Sequence, residues 1–108
     1  LTKGTGEGGP HRALANFLAQ TPGFLGGDEA RAGVHFARAV ELDPGFLQNH
    51  VDWAEFWSRP RKEWDSFCGL LAAALSLGDD PQVADRWPLY NRLALVRARA
   101  LLGERPCP

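Results

Sequence analysis

Hydrophobic residues recur along this chain at spacings of three and four, broken by glycine and proline, and nowhere alternate for long enough to make a strand. The pattern predicts an all-α fold of about five helices. Residues 11 to 20 carry Leu14, Phe17 and Leu18 on one side and stop at Thr21-Pro22-Gly23, because proline disfavours the helical conformation in the residue before it. After the loop Phe24-Leu25-Gly26-Gly27, Asp28 is placed to cap a second helix, its carboxylate accepting free backbone N–H groups at the positive end. That helix runs to about Leu42 with Ala32, Phe36, Ala39 and Val40 as its buried stripe, and Asp43-Pro44-Gly45 ends it.

A third helix over residues 46 to 58 gathers Leu47, His50, Val51, Trp53, Ala54 and Trp57 into an arc of roughly 160°. Phe56 falls on the opposite side, which makes it a candidate partner contact. The fourth helix is expected to begin near Pro60, to carry Trp64, Phe67, Cys68, Leu71, Ala74 and Leu75, and to close at Gly78. Asp79-Asp80-Pro81 reads as a loop leading to the last helix, from about residue 87 to 103. Its expected buried stripe is Leu89, Leu93, Val96 and Ala100, with Leu95 and Leu102 on another side. Helices of this length on short connections predict antiparallel hairpins stacked in order. Residues 1 to 10, rich in glycine, read as a flexible lead-in, 11 to 104 as a single helical-repeat domain, and 105 to 108 as a tail.

Composition narrows the function classes. At 108 residues there is room for one domain, and 12 Lys and Arg against 13 Asp and Glu give a net charge of −1, without the basic footprint of a nucleic-acid binder. The longest apolar run, Leu70-Leu71-Ala72-Ala73-Ala74-Leu75, falls far short of the roughly 18 residues a membrane span needs. A chain that opens at Leu1 and contains no Met reads as processed or trimmed. Cys68 lies in an apolar periodic segment and reads as a small core residue; Cys107 sits in the tail Arg105-Pro106-Cys107-Pro108. Neither has metal-ligand spacing, and two cysteines leave the redox compartment open.

Catalytic chemistry finds no support in the spacing. His50 and Asp52, two apart on a helix, point roughly 200° from one another. Ala15 and Ala39 stand four residues beyond His11 and His35, so neither histidine has a second ligand on its own helix face. The glycine-rich residues 4 to 9 lack the lysine of a phosphate loop, and no serine sits in a nucleophile elbow. No catalytic residue, metal or cofactor is therefore expected. Two surfaces stand out instead. His50, Trp53, Trp57 and Trp64 have the make-up of an apolar ligand cleft with polar handles, although aromatics at helical spacing also simply fill cores. Arg92 and Arg99, seven apart on the last helix, form a basic stripe for an acidic partner or a carboxylate, or a solvated face.

Ala32, Phe36, Ala39 and Pro44 match the second-helix half of a tetratricopeptide repeat; its first-helix positions are occupied here by Asn16, Ala19, Gln20 and Gly23. The wider string is more specific. Pro22-Gly23-Phe24-Leu25-Gly26-Gly27-Asp28, then His35-Phe36, then Glu41-Leu42-Asp43-Pro44-Gly45-Phe46-Leu47 with His50-Val51 and Ala54, resembles the T-component (TatT-like) family of TRAP transporters. Trp64-Asp65, Leu70-Leu71, Asn91, Arg97-Ala98 and Leu101-Leu102 extend the likeness over about residues 22 to 102.

The resemblance implies a non-enzymatic, tetratricopeptide-like accessory protein of the periplasm. Such a protein docks the transporter's periplasmic solute-binding protein, offers a cleft or pore, forms homo-oligomers, and meets the membrane only through an N-terminal lipid anchor on a cysteine that this chain does not contain. It also implies structural roles for Asn91, bonding neighbouring backbone, and for Arg97, pairing across helices with Asp65. A generic helical-repeat scaffold and a stand-alone carrier of small apolar ligands remain alternatives.

Overall fold

Gly8 opens the first helix earlier than the hydrophobic period predicts, because its N–H donates to Asp43 Oδ2 at 2.6 Å. Pro10 follows in the first turn, where a missing N–H has no partner to lose. The computed structural model describes residues 8–108, so residues 1–7 of the expected lead-in lie outside the described residues. Helix α1 (Gly8–Gln20) is followed by a single 3₁₀ turn, Gly23–Leu25. Helix α2 (Glu29–Leu42) starts where expected, with Asp28 accepting from the Arg31 N–H at 3.1 Å. Gly27 lies between them with its Cα so close to Thr21 that a Cβ would fall 1.7 Å from the Thr21 carbonyl oxygen, so only glycine fits.

Helix α3 (Gln48–Trp53) runs straight on into a π turn, Ala54–Ser58, in which the Arg59 N–H reaches back five residues to the Ala54 carbonyl at 2.9 Å. Helix α4 (Trp64–Gly78) begins four residues later than expected from Pro60, because Lys62 takes the left-handed conformation (φ 57°) and interrupts the chain. A short helix α5 (Pro81–Ala84) replaces the expected loop, with Pro81 in its first turn and Asp80 accepting from the Gln82 N–H at 2.9 Å. Helix α6 (Pro88–Glu104) completes the fold. Among the described residues there is no strand, and no helix is long and apolar enough to cross a membrane.

The directions follow from who meets whom. Leu18 bonds Asp28, His11 meets His35 and Gly8 meets Asp43, so α1 and α2 are antiparallel. Asn49 reaches Ala39 while Trp57 reaches Glu29, so α2 and α3 are antiparallel as well. Leu47 pairs with Asn91, Glu55 with Arg97 and Arg59 with Glu104, which sets α3 and α6 parallel. The result measures 43 × 34 × 19 Å, the thickness of about two helix layers, with α3 touching α1, α2, α4 and α6.

Two apolar clusters flank α3. On one side Ala15, Leu18, Ala32 and Phe36 are fully buried; on the other lie Leu47, Val51, Ala54, Phe67, Leu71, Ala74, Ala94, Ala98 and Leu101. The α2 stripe is therefore as expected at Ala32, Phe36 and Ala39. The α6 stripe is not. That helix turns Asn91, Ala94, Ala98 and Leu101 inward and leaves Leu89, Leu93 and Val96 exposed. Two alanines let α6 approach its neighbours closely, and the Asn91 side chain satisfies three backbone groups there: it accepts from Leu47 N–H at 3.0 Å and donates to Gly45 O and Val83 O at 3.0 and 3.1 Å. The expected backbone-bonding role of Asn91 is thus present.

Two further expectations change. Arg97 does pair across helices, but with Glu55 rather than Asp65: Nε meets Glu55 Oε1 at 3.0 Å and a terminal nitrogen meets Oε2. Asp65 stands exposed in the first turn of α4, whereas Glu55 lies buried on the π turn facing α6. Cys68 is not an unpaired core thiol. It forms a disulfide with Cys107, because the tail beyond α6 folds back over the start of α4, where the Arg105 guanidinium lies 4.0 Å above the Trp64 ring.

Candidate functional site

The π turn decides where the aromatic candidates go. A π turn advances each residue less around the axis than an α turn does, so Phe56 and Trp57 both swing toward the α1–α2 hairpin. There Trp53, Phe56 and Trp57 are half-buried against the cluster around Phe36. Trp57 enters a notch at Gly33, where a Cβ would come within 2.9 Å of the indole. Its Nε1–H donates to the Glu29 carbonyl at 2.8 Å, and Arg61 covers its face at 4.5 Å. The remaining crevice beside Ala19, Phe56, Pro60 and Arg61 encloses about 10 Å³, room for a single water at most.

Trp53 sits edge-on to Trp57 with ring centroids 6.5 Å apart, whereas Trp64 belongs to the other cluster and packs edge-on against Phe67 at 5.4 Å. The three indoles expected in one cleft are therefore split between the two sides of α3. The four-residue delay in α4 and the cover of Arg105 account for this: Trp64 begins its helix facing the C-terminal tail. It borders a broad surface groove with Lys62, Glu63, Asp65 and Ser66.

His50 is buried, its Nδ1 has no hydrogen-bond partner, and the same holds for Trp53 Nε1. Burial lowers the His50 pKa below its ordinary 6.5, since a charged imidazolium there loses its hydration. The unfolded chain therefore takes up a proton below about pH 6.5 that folded His50 refuses, and stability falls as pH drops through that range. Thermal melts at about pH 7.5 and 5.5 are expected to differ less for His50→Gln than for the native protein. Equal differences would assign the acid sensitivity to other groups.

Arg92 and Arg99 are both exposed and are brought together. They line one groove of about 210 Å³ with Ala84, Asp85, Pro88, Asn91, Leu95 and Val96. The same helix face carries the large apolar side chains that the fold leaves outside: Leu89 is 65% exposed, Leu93 55% and Val96 59%, with Tyr90 beside them at 58%. Residues 89, 92, 93, 96 and 99 recur at helical spacing, so apolar and basic groups form one mixed stripe. The hydrophobic period expects Leu89, Leu93 and Val96 in the core and Arg92 and Arg99 on a separate basic face; the fold puts all five on one exposed side. A second exposed apolar group crowns the α1–α2 turn: Phe24 and Leu25 from the expected loop, and Phe17, which the hydrophobic period places on the buried side of α1 with Leu14 but which the fold leaves exposed, as it does Leu14.

A family model described as TRAP transporter T-component matches residues 3–106 of the 108. The chain belongs to the TRAP transporter T-component family. No curated protein matches it. As a T-component it is an accessory part of a TRAP transport system, and the match spans all six helices, including the exposed α6 face and the π turn. Arginine guanidinium groups offer forked donors to carboxylates, and the apolar side chains between them release water on contact.

Proposed function

We propose that this T-component works in the periplasm as a non-enzymatic docking protein that holds the solute-binding protein of its transporter through the α6 face. The exposure of Leu89, Tyr90, Leu93 and Val96 alongside Arg92 and Arg99 carries the reading. Apolar side chains of this size seldom cluster on a surface without a partner, and flanking arginines select an acidic one. The Cys68–Cys107 disulfide supports an oxidising compartment such as the periplasm. Phe56 is not part of this surface: it is half-buried on the opposite side of α3, against the cluster around Phe36.

Capture from periplasmic extract tests the reading. The native protein is expected to retain the TRAP solute-binding protein, and Leu93→Glu/Val96→Glu to weaken that capture by roughly tenfold or more, with unchanged circular dichroism because both positions are exposed. Capture that ignores the two glutamates would overturn the α6 assignment. A second copy of the chain is the competing occupant, and sedimentation of the isolated protein, native against variant, separates the two.

A further inference from the structure

We infer that the element received by the α6 face is an amphipathic acidic helix, with carboxylates seven residues apart and apolar side chains between them. This rests on the reading of that face as the docking surface, and it specifies the shape and charge of what docks there.

Helix α6 carries two seams of the same period. Asn91, Ala94, Ala98 and Leu101, spaced three, four and three, are buried against the rest of the fold. Leu89, Arg92, Val96, Arg99 and Gly103, spaced three, four, three and four, are all exposed and lie about 180° around the axis from them. A three-four repeat along one side of a helix packs another helix, because side chains at that spacing keep facing a neighbour that crosses at a shallow angle. The inner seam is used in this way against α3 and α4. The outer seam has the same spacing, and exposed Leu93 and Ala100 widen its apolar part. Towards its end Ala100 and Gly103 allow close approach, since a Cβ on Gly103 would meet nothing within 4 Å. A partner strand, whose side chains on one face stand roughly 6.6 Å apart, falls out of step with this repeat within two turns.

The two arginines set the charge of the occupant. Arg12, Arg38, Arg59, Arg61 and Arg97 each meet a carboxylate of the chain. Arg92 and Arg99 meet none, although Asp85 lines the groove beside them. Two guanidinium groups with free donors, seven residues and about 10.5 Å apart along the axis, select carboxylates at the same separation, which on a helix lying alongside are also seven residues apart. The outer seam of a second copy offers no such group. The carboxylate of α6, Glu104, is off the seam and pairs with Arg59, so two α6 faces would set arginine against leucine and arginine.

The test reads fluorescence anisotropy of labelled synthetic helices of about three heptads against the full-length chain described above. The first probe has leucine at the a and glutamate at the d position of each heptad, the second is an isomer in which no two glutamates are seven apart, and the third has lysine in place of each glutamate. The first is expected to bind the native protein roughly tenfold or more tightly than either of the others. Arg92→Glu/Arg99→Glu should invert the order, losing the acidic probe and gaining the lysine one, a gain that also shows the variant to be folded. Absence of binding by the acidic probe, affinities for it and its isomer within about twofold, or a variant that keeps the native preference would overturn the acidic helix. A native protein that retains the solute-binding protein but does not sort the probes loses this inference and keeps the docking function. One that sorts the probes as expected and retains no solute-binding protein keeps the helix specificity and loses the identity of the partner.

Discussion

Replacing Phe36 by alanine is expected to remove roughly 3–5 kcal/mol of stability and to lower Tm by roughly 10–20 °C. Phe36 is fully buried where α1, α2 and α3 meet, with Ala15, Leu18 and Ala32 as its buried neighbours and Trp53, Phe56 and Trp57 closing the edge. Three of those neighbours belong to α3 and its π turn, so the cavity left by alanine lies between elements already fixed from the other side by Leu47 and Val51. Partial collapse is the only relief available, and a site pinned on both sides collapses poorly. Phe24→Ala is the control, since that ring is 87% exposed, and a change within about 0.5 kcal/mol is expected there. A fall in Tm of less than about 2 °C for Phe36→Ala would contradict its place in the core.

Opening the Cys68–Cys107 link, as Cys68→Ser/Cys107→Ser or by reduction, is expected to cost about 4 kcal/mol. The bond closes a loop with a sequence separation of 39, and the chain-entropy argument places a loop of that size between the values for short and long ones. The loop contains α4 from Cys68 onward, all of α5 and α6, and the tail as far as Cys107. Its loss frees the C-terminal residues that hold Arg105 over Trp64, so the Trp64 emission should move to longer wavelength as the ring meets water. Melts with and without reductant, read by fluorescence and circular dichroism together, check both statements. Identical melts would mean that the reduced unfolded chain is as restricted as the oxidised one.

Much of the helical layout was legible because glycine and proline mark it: α2 has its cap at Asp28, its stripe at Ala32, Phe36 and Ala39, and its stop at Asp43-Pro44 as the pattern predicts. Two kinds of feature were not legible. One is the orientation of α6, whose leucines, valine and alanines surround most of its circumference, so that periodicity offers several stripes and close packing through Ala94 and Ala98 makes the choice. The other is contact at long range. The Glu55 partner of Arg97, the Cys107 partner of Cys68 and the His35 partner of His11 are 42, 39 and 24 residues away. A search confined to one helix face does not reach any of them. The candidate site divides the same way: Arg92 and Arg99 share a groove as their spacing implies, while the indoles are parted by a π turn and a left-handed Lys62 that hydrophobic spacing does not encode.

Asn91 ties the first residue of α3's approach, the end of the α2–α3 connection and the short α5 to one side chain on α6, through Leu47 N–H, Gly45 O and Val83 O. None of these three backbone groups can be released to solvent while α6 stays docked, and α6 cannot undock without stranding all three. Amide hydrogen exchange at Leu47 therefore reports on the detachment of a helix more than forty residues away, and the 45–47 corner, α5 and α6 behave as a single cooperative unit with one opening free energy.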